Sequence, residues 1–304
     1  MQLQTRARPK RFFDGGVPAW LGLPEIPPDP TAPPRVVLNR IEDEQGRESW
    51  EMLRRIAYRD PVLDTVIIVP ARLEEFRTDL TSVPRWFTWL VPKSGRHLPA
   101  ALIHDGLVGG ARDVASATTD PEVPIDRVEA DRIFRDAMRD TGTGVIRRWL
   151  AWAAVTTVSL VLVGRPGWSP LLRWWFRLVV PATYLAILYC GTSATLVLLD
   201  RHVPGFWDLP WMRSEDFWMQ VLGGLSGAIV VPILLGVLWG GYLRVAAIAG
   251  VAVATLLHVT VAVAVVALAY QAAEWLAMHL PPVATALMVL GLMAAVAAFP
   301  LFVL

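Results

Sequence analysis

A histidine and three aspartates in the first half of this 304-residue chain have residue types that could form a catalytic or metal-binding set. His104 and Asp105 are adjacent, Asp79 precedes them and Asp131 follows them. A carboxylate buried in a protein has to pair with a cation, take up a proton or bind a metal ion. These four side chains therefore predict either a functional site or a network of buried pairs.

Two predicted helices position most of this set. Residues 97–108 are apolar nearly all round, which indicates a central buried helix, and Asp105 lies on the same stripe as its apolar neighbours. Residues 126–140 form an amphipathic helix that Gly142 ends, and Asp131 lies at the edge of its apolar face. Asp79 follows a predicted buried strand. We therefore expect the three carboxylates and His104 to converge on one pocket.

Two kinds of chemistry are open to such a pocket. One is a divalent metal ion that activates water for hydrolysis, held by nitrogen and oxygen ligands. Its candidate ligands are His104, Asp105 and Asp131. Asp79 is a further candidate catalytic carboxylate, and His97 is a weak candidate for an additional histidine ligand. The other is a serine nucleophile, Ser82, activated by His104 and an aspartate, although Ser82 lacks a nucleophile-elbow context.

A purely structural interpretation stands beside these. In it Asp79 caps the chain or pairs with Arg85, His104 donates to a backbone carbonyl, and Asp131 pairs with Arg77 or Arg132. Such a network would hold strands to helices without chemistry.

The rest of the soluble region predicts an α+β domain over residues 35–167, a short antiparallel sheet followed by helices. Strand-like runs at 35–41, 50–58 and 64–70 are separated by turn residues and suggest a meander. Residues 1–34 contain eight prolines, too many missing donors for regular structure, and predict an extended arm.

Residues 178–304 have the composition of a membrane domain. Of the chain's 28 basic and 27 acidic residues, only three and five lie there. Four apolar runs are each long enough to cross a hydrocarbon core of about 30 Å as a helix, which predicts an all-α transmembrane four-helix domain. The predicted spans are 178–199, 218–239, 245–270 and 283–304. A Trp- and Arg-rich linker at the membrane interface is expected at 168–177.

Arginine positions predict the orientation. Five arginines precede the first span and Arg244 lies between the second and third, so both termini are expected in the cytoplasm of a bacterium, with the chain in the inner membrane. The uncharged run 149–163 is short for a span, and we interpret it as the last helix of the soluble domain. The alternative is a fifth span, which would place that domain outside.

Partners follow from the same patterns. The lipid bilayer is one expected partner. Small residues along the second and third spans predict close contacts between helices, including contacts between copies of the chain in a homo-oligomer. His258 is the ionisable residue well inside a predicted span, where polar groups are functional candidates. The net charge of +1 and the absence of a basic block give no reason to expect nucleic acid binding.

Three ordered motifs resemble a phage- and prophage-associated family, domain of unknown function 1353. They are FRTDLTSVPR at 76–85, AALIHDGL at 100–107, and ADRIF with the following AM at 130–138. The resemblance covers about residues 35–167. Family members usually carry Tyr where Val108 stands, so any chemistry of that Tyr would be missing here.

These observations lead to three functional hypotheses. The first is a phage-associated membrane protein whose cytosolic domain serves binding or assembly. The second is a membrane-tethered metal-dependent hydrolase that uses His104, Asp105 and Asp131. The third is a sensor domain joined to a pore-forming membrane effector.

Overall fold

The computed structural model describes residues 11–19, 24–42, 48–78, 80, 94–109, 116–212 and 216–303. Within these ranges, the side chains of 257, 258, 260, 295 and 298–303 are not described. Asp79, Ser82 and Arg85 therefore lie outside the described residues, as does the side chain of His258. The chain divides into two compact units, 1–255 and 256–304.

The main sheet of the first unit is antiparallel, with strand order β1-β4-β5-β7. The strands are β1 (Phe12–Asp14), β4 (Ile56–Asp60), β5 (Thr65–Val69) and β7 (Thr118–Asp120). β5 is β-branched throughout and alternates buried and half-buried side chains, as a strand inside a sheet does. The prediction of a short antiparallel sheet before the helices is confirmed.

A second antiparallel sheet was not expected. It has the order β2-β3-β6, formed by β2 (Leu38–Glu42), β3 (Glu48–Met52) and β6 (Arg77–Thr78). The run 50–58, predicted as one strand, is divided between β3 and β4, which belong to different sheets. The division falls around Arg54, whose guanidinium binds the carboxylate of Asp14, the last residue of β1.

The proline-rich N-terminal segment is partly built into the domain. β1 pairs with β4, and both Phe12 and Phe13 are buried. Two hydrogen bonds between Val17 and Ile26 bring the segment back on itself. A proline-rich extended segment suits the edge of a sheet, where missing N–H donors cost least.

Two helices pack on the main sheet, and a third helix packs on the second of these. In chain order they are α1 (Leu98–Val108), α2 (Arg127–Asp140) and α3 (Val145–Leu162). Gly106 of α1 crosses β5 so closely that an added Cβ would lie 2.5 Å from both Val69 methyl groups. The Asp126 carboxylate accepts the Glu129 N–H and caps α2, and Gly142, at φ 74°, follows its end. α1 and α2 agree with their predicted ranges within one residue.

α3 runs antiparallel to α2 along its length. At one end Arg165, just beyond α3, pairs with Asp126 at 3.3 Å. Towards the other end the Arg135 guanidinium lies 5.3 Å from the ring centres of Trp149 and Trp152. α3 begins at Val145, four residues before the start of the predicted run 149–163.

Four helices make up the apolar part: α4 (Pro170–Leu198), α5 (Phe217–Gly236), α6 (Leu243–His279) and α7 (Pro281–Val303). α4 includes most of the predicted interfacial linker, because Ser169 caps the helix and Pro170 occupies its first position. α5 and α6 are joined by a 3-10 turn, Val237–Tyr242, in which Gly240 leaves helical geometry at φ 56° and ψ −120°.

The described part of the chain has four helical segments that are long and apolar enough to cross a membrane. They are Val145–Leu162, Pro170–Leu198, Phe217–Leu256 and Val261–His279. The third contains α5, the turn and the start of α6. The prediction of long membrane-type helices is confirmed, although the boundaries differ: α3 joins the set, and α7 enters it only as the shorter apolar stretch Pro281–Ala294.

The small residues of α5 accommodate the loop that precedes it. A Cβ at Gly223 would lie 2.4 Å from the Trp211 carbonyl oxygen, and one at Gly227 would lie 2.6 Å from the Trp211 indole nitrogen. Gly250 of α6 approaches Pro232 and Ile187 in the same way. Close approach within one chain therefore explains these glycines, and a homo-oligomer through them stays a prediction.

Candidate functional site

The centre of the candidate site is a hydrogen bond between α1 and α2. His104 Nε2 lies 2.8 Å from Asp131 Oδ1. Asp131 is fully buried, whereas the His104 side chain keeps 11% of its surface exposed. The imidazole also packs on the Phe134 ring, with ring centres 4.9 Å apart. The prediction that α1 and α2 bring these two side chains together agrees with this geometry.

Within the part of the chain that the structure describes, the second oxygen of Asp131 has no hydrogen-bond partner. Oδ2 is buried and unsatisfied, although buried polar atoms are nearly always paired. A lone carboxylate oxygen in such a place raises the energetic cost of losing the one bond that Asp131 has. His104 is therefore the group on which the burial of Asp131 depends.

Asp105 belongs to a separate chain of hydrogen bonds. The Thr78 hydroxyl donates to Asp105 Oδ2 over 2.6 Å, and the same hydroxyl accepts the Leu80 N–H over 2.8 Å. These contacts fix the residues on both sides of position 79 against α1. Asp105 thus has Thr78 as a partner of its own.

Asp131 meets His104 and not Arg77 or Arg132, the partners named in the structural interpretation. The expected pair of Asp79 with Arg85 lies outside the described residues, so that interpretation stays a prediction. Arg77 instead contacts Glu51 at 2.5 Å, across β3 and β6. His104 and Asp131 face each other from the buried faces of α1 and α2, so each provides the nearest hydrogen-bond partner for the other.

A buried ion pair between α2 and the sheet was missed by sequence reasoning. The Arg132 guanidinium binds both oxygens of the fully buried Asp60, at 2.7 and 3.0 Å, and also contacts Glu129 and Asp136. Burial opposes the charge on Arg132, but the hydrogen bonds to Asp60 and Glu129 raise its pKa above the ordinary value. The only sequence signal was Asp60-Pro61, which predicts a turn and not a partner on α2.

A second missed cluster ties the N-terminal segment to α2. Asp140 Oδ2 accepts hydrogen bonds from the Tyr58 hydroxyl and from Arg11, both over 3.0 Å. Burial, together with the Asp140 charge, raises the pKa of Tyr58 above its ordinary value. No pattern along the chain relates Arg11 to Asp140, because the contact depends on β1 lying next to β4.

The metal prediction was compared with the geometry of the ligand atoms. Over the ranges that the structure describes, no group of three or more His, Cys, Asp and Glu side chains is arranged to hold a metal ion. His97 is buried just before α1. A metal site at His104, Asp105 and Asp131 stays a prediction, as does the catalytic role of Asp79.

The pair has a defined chemical capacity without any further group. A buried carboxylate bonded to one imidazole nitrogen orients the ring, and a histidine held in this way can act as a general base towards a bound hydroxyl or water. The same bond can serve only to join α1 to α2. The two roles differ in what a substitution at His104 would do.

Comparisons with curated proteins and with solved structures gave no match. The comparison with protein families gave a match: residues 50–155 match the family model described as protein of unknown function (DUF1353). The matched region runs from β3 to the middle of α3 and contains His104, Asp105 and Asp131.

Proposed function

We propose that this chain is a multi-pass membrane protein that carries a DUF1353-type binding or assembly domain on the cytoplasmic face of a bacterial inner membrane. The observation that carries the proposal is the alignment of α2 with α3. It supports α4 to α7 as the membrane-spanning helices and α3 as part of the soluble domain.

The argument rests on the depth at which the two helices must lie. α2 has eight charged residues among its 14 and covers about 21 Å, against about 27 Å for α3. Because Asp126 meets Arg165 beyond one end of α3 and Arg135 lies on Trp149 near the other, α2 accompanies α3 nearly throughout. Charged side chains are costly in hydrocarbon, so α3 lies outside it with α2.

The apolar character of α3 then has another cause. Ala151 belongs to the core of the soluble domain and Val155 packs on it. Ala153 and Leu160 belong to a separate apolar cluster with α4 and the start of α6. α3 therefore contacts protein on two sides, and this packing accounts for its apolar composition without contact with lipid.

An even number of spans agrees with the distribution of arginine. Arg165, Arg173, Arg177 and Arg244 all lie at the end of α4 to α6 that adjoins the soluble domain, which the positive-inside bias places in the cytoplasm. The phage or prophage association comes from the motif resemblance. A binding or assembly role fits a domain that is joined to the membrane helices through a packed helix.

Cysteine labelling of the full chain tests this topology. In a Cys190→Ser background, Ile146→Cys and Leu162→Cys mark the two ends of α3, where both native side chains are exposed. Val203→Cys marks the loop after α4. We expect an impermeant maleimide to label Val203→Cys in intact cells and the other two only after lysis. Labelling of Leu162→Cys and Ile146→Cys from opposite sides would make α3 a span and overturn the proposal.

The assembly role is tested by the mass of the full chain in detergent. A defined oligomer, with the detergent mass subtracted, would support assembly through a second copy. A monomer at all protein concentrations would remove homo-oligomerisation from the proposal and leave binding of another partner.

A second candidate function is hydrolysis, with His104 as general base. The partly exposed imidazole in front of a fully buried Asp131 favours it. The test is metal content and hydrolysis of phosphoester and peptidoglycan substrates by the full chain, compared with His104→Gln. Activity that His104→Gln abolishes while the melting temperature is kept would support it, and equal activity in both proteins would refute it.

A further inference from the structure

An aromatic cleft lies where α4 begins and where α5 turns into α6. Its volume is about 230 Å³ and it is open to the surface. The walls are mostly aromatic and apolar, and the floor of one side is the Gly240-Gly241 backbone. The residues that line it are Trp168, Leu172, Trp175, Phe176, Leu238, Trp239, Gly240, Gly241 and Tyr242.

The aromatic walls are held in place by contacts of their own. Trp168 stacks on Phe176 with ring centres 4.7 Å apart, and Tyr242 meets both rings edge-on. The indole nitrogens of Trp175 and Trp239 donate to the Leu238 carbonyl and the Thr183 hydroxyl, both over 3.1 Å. The cleft is thus a preformed shape and not a gap between loose side chains.

The rim of the cleft is cationic. Arg165 interacts with the Tyr242 hydroxyl, and the Arg173 stem lies beside Trp168 above Gly164. Arg165 is shared with Asp126, but Arg173 is exposed and has no carboxylate partner in the part of the chain that the structure describes. An apolar aromatic cleft beside an unpaired arginine is complementary to an amphiphile with an anionic head.

We propose that this cleft binds an anionic phospholipid of the cytoplasmic leaflet, with the start of an acyl chain against Trp168, Trp175 and Tyr242 and the phosphate against Arg173. The inference rests on the proposed topology, which places this end of α4 at the cytoplasmic interface. Aromatic side chains favour that depth, and anionic lipids concentrate near juxtamembrane arginines. Both parts of such a lipid find a matching surface here.

Gly241 allows the cleft to be filled without disturbing its walls. A Cβ built there meets no heavy atom within 4 Å, so Gly241→Leu places a side chain in the open space. Gly291→Leu on α7 is a matched control, since a Cβ there is equally uncrowded. Arg173→Gln removes the rim charge, and Arg201→Gln makes the same charge change in the loop after α4.

The experiment is native mass spectrometry of the full chain in detergent, titrated with phosphatidylglycerol and with phosphatidylcholine. We expect the wild type to bind phosphatidylglycerol about fivefold more tightly, the ratio that ~1 kcal/mol from one arginine near a membrane surface produces. Arg173→Gln should abolish the preference and Gly241→Leu should weaken both lipids, while Arg201→Gln and Gly291→Leu match the wild type.

Three outcomes would overturn the inference. They are equal binding of the two lipids by the wild type, a Gly241→Leu protein that binds as the Gly291→Leu protein does, and displacement of the lipid by inorganic phosphate alone. Carbonate extraction of membranes distinguishes a failure of the lipid-site proposal from a failure of the proposed membrane anchoring. A chain that stays in the membrane but ignores lipid charge refutes only the lipid site, whereas a chain that carbonate releases refutes the membrane anchoring.

Discussion

Replacing His104 with leucine should destabilise the chain mainly by leaving Asp131 alone in the core. Asp131 is fully buried, and among the described residues its Oδ2 has no partner, so the hydrogen bond between His104 Nε2 and Oδ1 is the contact that the structure gives this carboxylate. Leaving a buried carboxylate without its partner costs about 3–5 kcal/mol. For a unit of this size that corresponds to a drop in melting temperature of about 6–20 °C.

A double-mutant cycle separates this effect from lost packing. His104→Leu also removes the ring contact with Phe134, and that loss is the same whether position 131 is Asp or Asn. An unpaired neutral amide costs about 1–3 kcal/mol, less than an unpaired carboxylate. We therefore expect His104→Leu to cost about 2 kcal/mol less in the Asp131→Asn background, a difference of about 4–8 °C.

The assay is thermal unfolding of the full chain in detergent, followed by tryptophan fluorescence. His104→Gln is the conservative control, because its amide can still donate towards Asp131. Equal drops for His104→Leu in both backgrounds would refute the reasoning, since they would mean that the hydrogen bond carries no coupling energy. A fully stable His104→Leu protein would show that Asp131 finds another partner or takes up a proton.

Three further changes test the packing around the site and the membrane helices. Hydrogen bonds from Arg54 and from the Gly16 N–H lower the pKa of Asp14, so the stability that this carboxylate contributes is complete above the unfolded pKa of about 4 and is lost as pH falls below it. The melting temperature of Asp14→Asn should accordingly approach that of the wild type in acid, and a constant difference across pH would contradict this. Gly106→Ala should cost about 1–3 kcal/mol through its clash with Val69, with partial recovery in a Gly106→Ala/Val69→Ala double variant, and no loss of melting temperature would show that α1 can move away. Trp239→Phe should lower the melting temperature in detergent through the loss of a buried hydrogen bond, about 1 kcal/mol, and through the cavity that the smaller ring leaves. In a Thr183→Val background the hydrogen-bond part of this loss should disappear, and an equal loss in both backgrounds would contradict the prediction.

The helices of the soluble domain were predictable because their signals are local. An Asp cap, an apolar stripe and a stopping glycine placed α2 within one residue, and the same stripe placed Asp131 towards α1. The apolar runs were long enough to predict the membrane helices from length and composition alone. Composition alone does not assign α3, because an apolar helix covered by protein has the same composition as one covered by lipid.

Residue types and helix periodicity alone determined that the chain has an α+β domain with a histidine–carboxylate set, followed by membrane-type helices. The tertiary structure decided which carboxylate meets which cation: Asp131 with His104, Asp60 with Arg132, and Asp140 with Tyr58 and Arg11. It also decided that one strand-like run belongs to two sheets and that α2 accompanies α3. The physical reason is that capping and amphipathicity act between residues three or four positions apart, whereas partners separated by 27, 72 or 129 positions are chosen by how the elements pack.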